Sequence, residues 1–86
     1  MTKARTLRKP SSAITDTLAA NIREFRETKR LSQEDFADLC GLHRTYVGSV
    51  ERGERNVTLS TLEVFASVLG VSVPRLLTPK ASRNER

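Results

Sequence analysis

The chain has 86 residues, with 15 Lys or Arg against 10 Asp or Glu, one His and one Cys, a length that holds a single domain and leaves nothing for a second core. The lone Cys40 excludes an internal disulfide and any multi-cysteine zinc site, and it fits a reducing compartment. No apolar run follows the basic start or approaches the roughly 18–20 residues of a membrane helix, so the expected location is the cytoplasm, with no secretory signal and no membrane partner.

Residues 1–13 carry Lys3, Arg5, Arg8 and Lys9 with no acid, and read as a flexible basic arm suited to phosphate or simply to solvent. Residues 14–79 read as the folded domain, where eight basic residues face nine acidic ones. Residues 80–86 read as a flexible tail holding Lys80, Arg83 and Arg86 with Glu85. The net charge of +5 therefore sits at the two ends.

Ile14, Leu18, Ile22 and Phe25 recur at helical spacing and predict a first helix from about residue 14 to 29, with Ser12, Thr15 and Asp16 as candidate caps. Ser32 with Asp35 forms a capping pattern for a second helix through Phe36, Ala37 and Cys40, ended by Gly41. A third helix follows from about Arg44 to Arg52, stopping at Gly53. A polar loop over 54–57 leads to Thr58 or Ser60 as the cap of a fourth helix bearing Leu59, Leu62, Phe65, Ala66 and Leu69 and ending at Gly70. Ser72 and Pro74 open a short fifth helix ending near Leu77. The class is all-α with five helices.

Residues 33–52 carry the specific signal. Two helices crossing closely require a small residue at the crossing, which is Ala37, and a turn residue tolerant of positive φ, which is Gly41. Val47 and Val50 point the third helix inward, and its other side stays free. This is the pattern of a helix-turn-helix whose third helix enters the major groove of DNA. Arg26 and Glu51 each lie four residues beyond a core position (Ile22 and Val47), so both fall on buried stripes, where a hydrogen-bonded pair is tolerable and a lone charge is not. A structural Arg26–Glu51 salt bridge is expected, with Glu54 as the competing partner.

The outer face of the third helix presents Thr45, Gly48, Ser49 and Arg52, with Arg44 at its N-terminal end. Arg44 can donate two parallel hydrogen bonds to guanine O6 and N7, and Thr45 can meet a thymine methyl. Gly48 permits close approach. Base contacts are therefore expected from Arg44, Thr45, Gly48 and Ser49. Backbone contacts are expected from Gln33, at the positive end of the second helix, and from His43, Tyr46, Arg52, Arg55 and Asn56.

Ser32-Gln33-Glu34, the run Gly41 to Val47, Val50-Glu51-Arg52-Gly53 and Leu69-Gly70-Val71 resemble the phage-repressor-like (XRE) helix-turn-helix family, over roughly Leu18 to Leu77. Arg44-Thr45-Tyr46, Glu51-Arg52 and the Arg55 to Leu59 loop look most like restriction–modification controller proteins. The resemblance implies a small homodimer on a palindromic operator, regulating its own gene and an endonuclease gene. It also implies base contacts from Arg44, Thr45 and Ser49, and backbone contacts from Gln33, Tyr46, Arg52 and Asn56.

Val64 and Val68, with Val71 and Leu76 near them, form a second apolar stripe on the fourth helix, and a dimer interface is expected there. Catalysis is not expected: Cys40 falls on a buried stripe, and His43, at the start of the third helix, faces elsewhere. No cofactor, metal or small-molecule ligand is expected. RNA polymerase is a possible partner through Glu34, Asp35 and Asp38, and an antitoxin or other stand-alone regulator with a protein partner is the alternative reading.

Overall fold

The structure is a computed structural model and describes residues 8–83. Its elements are α1 (Ser12–Thr28), α2 (Gln33–Cys40), α3 (Arg44–Glu51), α4 (Leu59–Leu69), α5 (Val73–Leu76) and a 3-10 turn, η1 (Lys80–Ser82). Among the described residues there is no strand.

Local chemistry sets most boundaries. Ser11 caps α1 by accepting a hydrogen bond from the Ile14 amide, so the helix starts earlier than the apolar periodicity suggests, and residues 12 and 13 belong to it rather than to an arm. Ser32 and Asp35 complete a reciprocal capping box at α2. Gly41 ends α2 at φ 70, the left-handed region that L side chains enter only at a cost. Thr58, not Ser60, caps α4, and Ser72 caps α5.

The core gathers Leu18 and Ile22 of α1, Phe36 and Ala37 of α2, Val47 and Val50 of α3, Leu62, Phe65, Ala66 and Leu69 of α4, and Leu76 of α5. Phe36 and Phe65 pack with ring centroids 5.4 Å apart. Leu76 is fully buried here and cannot serve as an interface residue. Its side chain belongs to the core, and its backbone is held by Asn21, a buried amide on α1 that donates to the carbonyls of Leu76 and Thr78, each at 2.9 Å. Those carbonyls close a helix end, where backbone acceptors lack helical partners, so Asn21 ties α5 to α1.

The segment after Pro79 also departs from the expectation of a flexible tail. Arg83 donates to Glu24 Oε1 at 2.7 Å and lies 4.8 Å from the centroid of the Phe25 ring, while Lys80 meets Glu24 Oε2 at 3.1 Å. Residues 80–83 thus pack on α1. Residues 84–86 of that tail, and residues 1–7 of the arm, lie outside the described residues.

Candidate nucleic-acid interface

α3 is held from beneath by one buried acid. Glu51, whose side chain is 2% exposed, accepts from Arg26 Nε at 2.6 Å, from Arg26 Nη2 at 3.0 Å and from Gln33 Nε2 at 3.0 Å. Arg26 Nη1 also donates to the Leu31 carbonyl at 2.8 Å, and Arg23 Nη1 donates to the Glu51 carbonyl at 3.1 Å. A fork-to-fork guanidinium–carboxylate pair fixes direction as well as distance. α1, the turn before α2, the first residue of α2 and the end of α3 are therefore locked together at one point. The hydrogen bonds to Glu51 hold the Arg26 guanidinium above its usual range, against the desolvation that opposes them. Glu54 does not compete for Arg26. It accepts from Arg52 Nε and Nη2, at 3.1 and 3.2 Å, in an exposed pair that keeps the Glu54 carboxyl below its usual range.

This frame presents the N-terminal half of α3. His43, Arg44 and Thr45 are exposed, and Tyr46 is half-buried. His43 occupies the cap position of α3 without a side-chain capping bond. The C-terminal half is covered. A Cβ placed on Gly48 would lie 3.2 Å from Arg52 Nη1 and 3.7 Å from Gln33 Oε1, so those side chains fill the space above the glycine. Ser49 is 4% exposed: its hydroxyl donates to the Tyr46 carbonyl and accepts from Arg55 Nε at 2.9 Å. The Arg55 guanidinium also stacks 5.3 Å from the centroid of the Tyr46 ring.

Ser49 and Gly48 therefore do not form an open outer face. The helical wheel puts Ser49 roughly opposite Val47 and Val50, but a wheel ignores the chain that follows. Here that chain turns back over α3, with the Glu54 amide on the Ser49 carbonyl at 3.0 Å. The open polar surface consists of Arg44 and Thr45, flanked by Gln33, Arg52, Arg55 and Asn56.

Sequence reasoning missed a second exposed feature. Leu59, in the first turn of α4, is 76% exposed, against 39% for Val64. It stands on the rim of an apolar groove of about 220 Å³ lined chiefly by Ile14, Leu18, Val57, Leu62 and Leu77. Val68 and Val71 are half-buried against the core. Burial pushes the Cys40 thiol up to about 11, so it stays protonated near neutral pH. Among the described residues no His, Cys, Asp and Glu group could hold a metal, and no helix is long and apolar enough to cross a membrane.

A model of the protein family described as Helix-turn-helix matches residues 22–76. The control protein C.SmaI of Serratia marcescens is 56% identical over 73 residues, spanning 85% of this chain and 87% of that protein. The crystal structure of a hypothetical transcription factor, NHTF, from Neisseria superposes with a TM-score of 0.81 at 43% identity, over 91% of this chain and 89% of that one. The restriction–modification controller C.AhdI from Aeromonas hydrophila superposes with a TM-score of 0.69 at 44% identity, over 72% of this chain and 94% of that one.

Proposed function

We propose, from the premise that this chain belongs to the phage-repressor-like helix-turn-helix family and is similar to restriction–modification controller proteins, that it binds a palindromic operator as a homodimer and regulates transcription. The observation that carries this reading is the Glu51 anchor, because it holds α3 rigidly while leaving Arg44 and Thr45 exposed at the helix's leading end. A reader of base edges needs that rigidity: a bidentate contact to guanine discriminates only if its donors arrive pre-aimed.

Arg44 and Thr45 are the base readers. Gly48 and Ser49 take supporting roles. Gly48 leaves room for Gln33 and Arg52 to lie side by side, and Ser49 holds Arg55 against Tyr46. Gln33, His43, Tyr46, Arg52, Arg55 and Asn56 surround the readers and supply phosphate contacts. Arg52 can exchange Glu54 for phosphate cheaply, since exposed ion pairs contribute little. A polymerase contact, if the operator is an activating one, falls on the exposed carboxylates Glu34 and Asp38, because Asp35 is engaged in the cap of α2.

The dimer face is assigned to Leu59 and its groove in preference to Val64, Val68 and Val71. An exposed knob beside an apolar hole is self-complementary under a two-fold axis: each Leu59 can fill the other copy's groove. Arg55 and Asn56 line the same groove, so this pairing sets both DNA-facing loops beside the axis. Reading two half-sites requires the two copies of α3 to lie about 34 Å apart, one turn of DNA.

Arg44→Ala tests the reading directly. Binding to a palindromic duplex recovered by selection weakens by about 1–3 kcal/mol, and binding to random duplex changes little. Equal losses on both, measured by fluorescence anisotropy, would remove Arg44 from base recognition.

A further inference from the structure

On α3, Arg44 and Thr45 stand one helical turn ahead of Gly48, so the next position on their stripe has no side chain of its own. The space above it is nonetheless filled. A Cβ built on Gly48 would lie 3.7 Å from Gln33 Oε1 and 3.2 Å from Arg52 Nη1. Gln33, the half-buried first residue of α2, therefore lays its carboxamide over α3 where a side chain at position 48 would stand. Arg52 shares that space, but its Nε and Nη2 are drawn to Glu54.

The surroundings fix which end of the carboxamide points where. Gln33 Nε2 donates to Glu51 Oε1 at 3.0 Å, and an ionised carboxylate can only accept. Turning the amide over would set its oxygen against that buried acid, so Oε1 is held on the Gly48 side. No described residue donates a hydrogen bond to it. Phosphate oxygens are acceptors too, so Oε1 has no partner on the DNA backbone. Base edges in the major groove do offer it donors, the amino groups of adenine N6 and cytosine N4.

We propose that Gln33 is a third base reader, standing in for the side chain that Gly48 lacks, whose Oε1 accepts a hydrogen bond from the exocyclic amino group of adenine or cytosine. The second hydrogen of Nε2 stays available for a neighbouring phosphate. The proposal rests on the DNA-binding reading and adds one specified position per half-site, beside those read by Arg44 and Thr45. Because Glu51 already anchors the carboxamide, little side-chain freedom is lost when the base arrives. A phosphate contact alone carries no such sequence information.

The test selects bound duplexes from a random pool with the wild type and with Gln33→Ala, using the melting temperature of each as a check on folding. Gln33→Met, which keeps the length of the side chain, replaces the alanine variant if that one unfolds. The wild-type motif is expected to hold adenine or cytosine at one position per half-site where the variant shows no preference, the rest of the motif being kept. That base is then exchanged for its analogue without the amino group, adenine for purine or cytosine for 2-pyrimidinone, which also tells the two donors apart. The wild type is expected to bind each exchanged half-site about 3- to 10-fold more weakly, and the variant to bind both duplexes alike. An unchanged motif in the variant, whether or not overall affinity falls, would overturn base reading by Gln33 and leave that by Arg44 standing. Equal binding of the wild type to the operator and to the exchanged duplex would do the same. Recovery of no motif by the wild type would overturn the DNA-reading proposal itself.

Discussion

Glu51 is a carboxylate almost sealed from water, and its three hydrogen bonds are what make that tolerable. Removing one member of such a buried pair strands the other, at a cost of roughly 3–5 kcal/mol. For a domain of this size that is a large share of total stability. Glu51→Ala is accordingly expected to lower the urea midpoint of unfolding severely, and Arg26→Ala comparably. The paired replacement Arg26→Met/Glu51→Leu is expected to cost less than either single change. Equilibrium unfolding of the three variants checks this, and a mild effect in both singles would remove the anchor from the account. The pair was legible in the sequence because each residue stands one helical turn from a core position. The helical position of Asn21, beside Leu18 and Ile22, was legible, but its burial was not. Nor were its partners: the carbonyls it satisfies are 54 to 57 residues away, and no local pattern announces which distant helix end needs a donor.

Gly48 shows how an element can trade stability for access. Glycine inside a helix costs about 1 kcal/mol relative to alanine. The nearest obstacle to a Cβ there is Arg52 Nη1, at 3.2 Å, the mobile tip of an exposed side chain. Gly48→Ala is therefore expected to raise stability by up to about 1 kcal/mol while weakening operator binding, because the Arg52 guanidinium must shift to make room for the methyl group. Thermal melts and anisotropy on one protein preparation check both signs. The ends of α2, α4 and α5 were readable from capping serines and threonines and from glycines, whose effects reach only three or four residues. The covering of Ser49 by Arg55, and the return of Arg83 to Glu24, were not, because both come from chain that arrives after the helix is finished. Glu24 adds a pH dependence. Its hydrogen bonds to Arg83 and then Lys80 hold its carboxyl below the usual range, against desolvation. Its contribution to stability is thus fully present above the ordinary glutamate pKa, about 4.3, and is lost as pH falls through the lower folded value. Urea midpoints of the wild type and Glu24→Gln are expected to differ at pH 7 and to converge as the pH drops well below 4.

At the scale of the whole molecule, the five-helix architecture and the helix-turn-helix were legible because they depend on periodicity and on a few spaced small residues. The apolar face used for pairing was not. Val64 and Val68 looked like a second stripe when α4 was considered alone, but the packed structure half-buries Val68 and exposes Leu59 beside a groove built from α1, α4, the loop before α4 and the end of α5. A surface assembled from four parts of the chain has no sequence period. Leu59→Glu is expected to weaken self-association by at least roughly 3 kcal/mol, since two leucines lose their pockets, and Val64→Glu to leave it near the wild-type value. Sedimentation equilibrium separates the two faces, and the reverse order would return the interface to the valines.

The central claim is that this chain reads sequence as a two-fold dimer. Selection of bound duplexes from a random pool at near-physiological salt, followed by sequencing, tests it most directly. A palindromic motif with half-sites about one helical turn apart is expected. Recovery of no motif, or of a single half-site without symmetry, would contradict it.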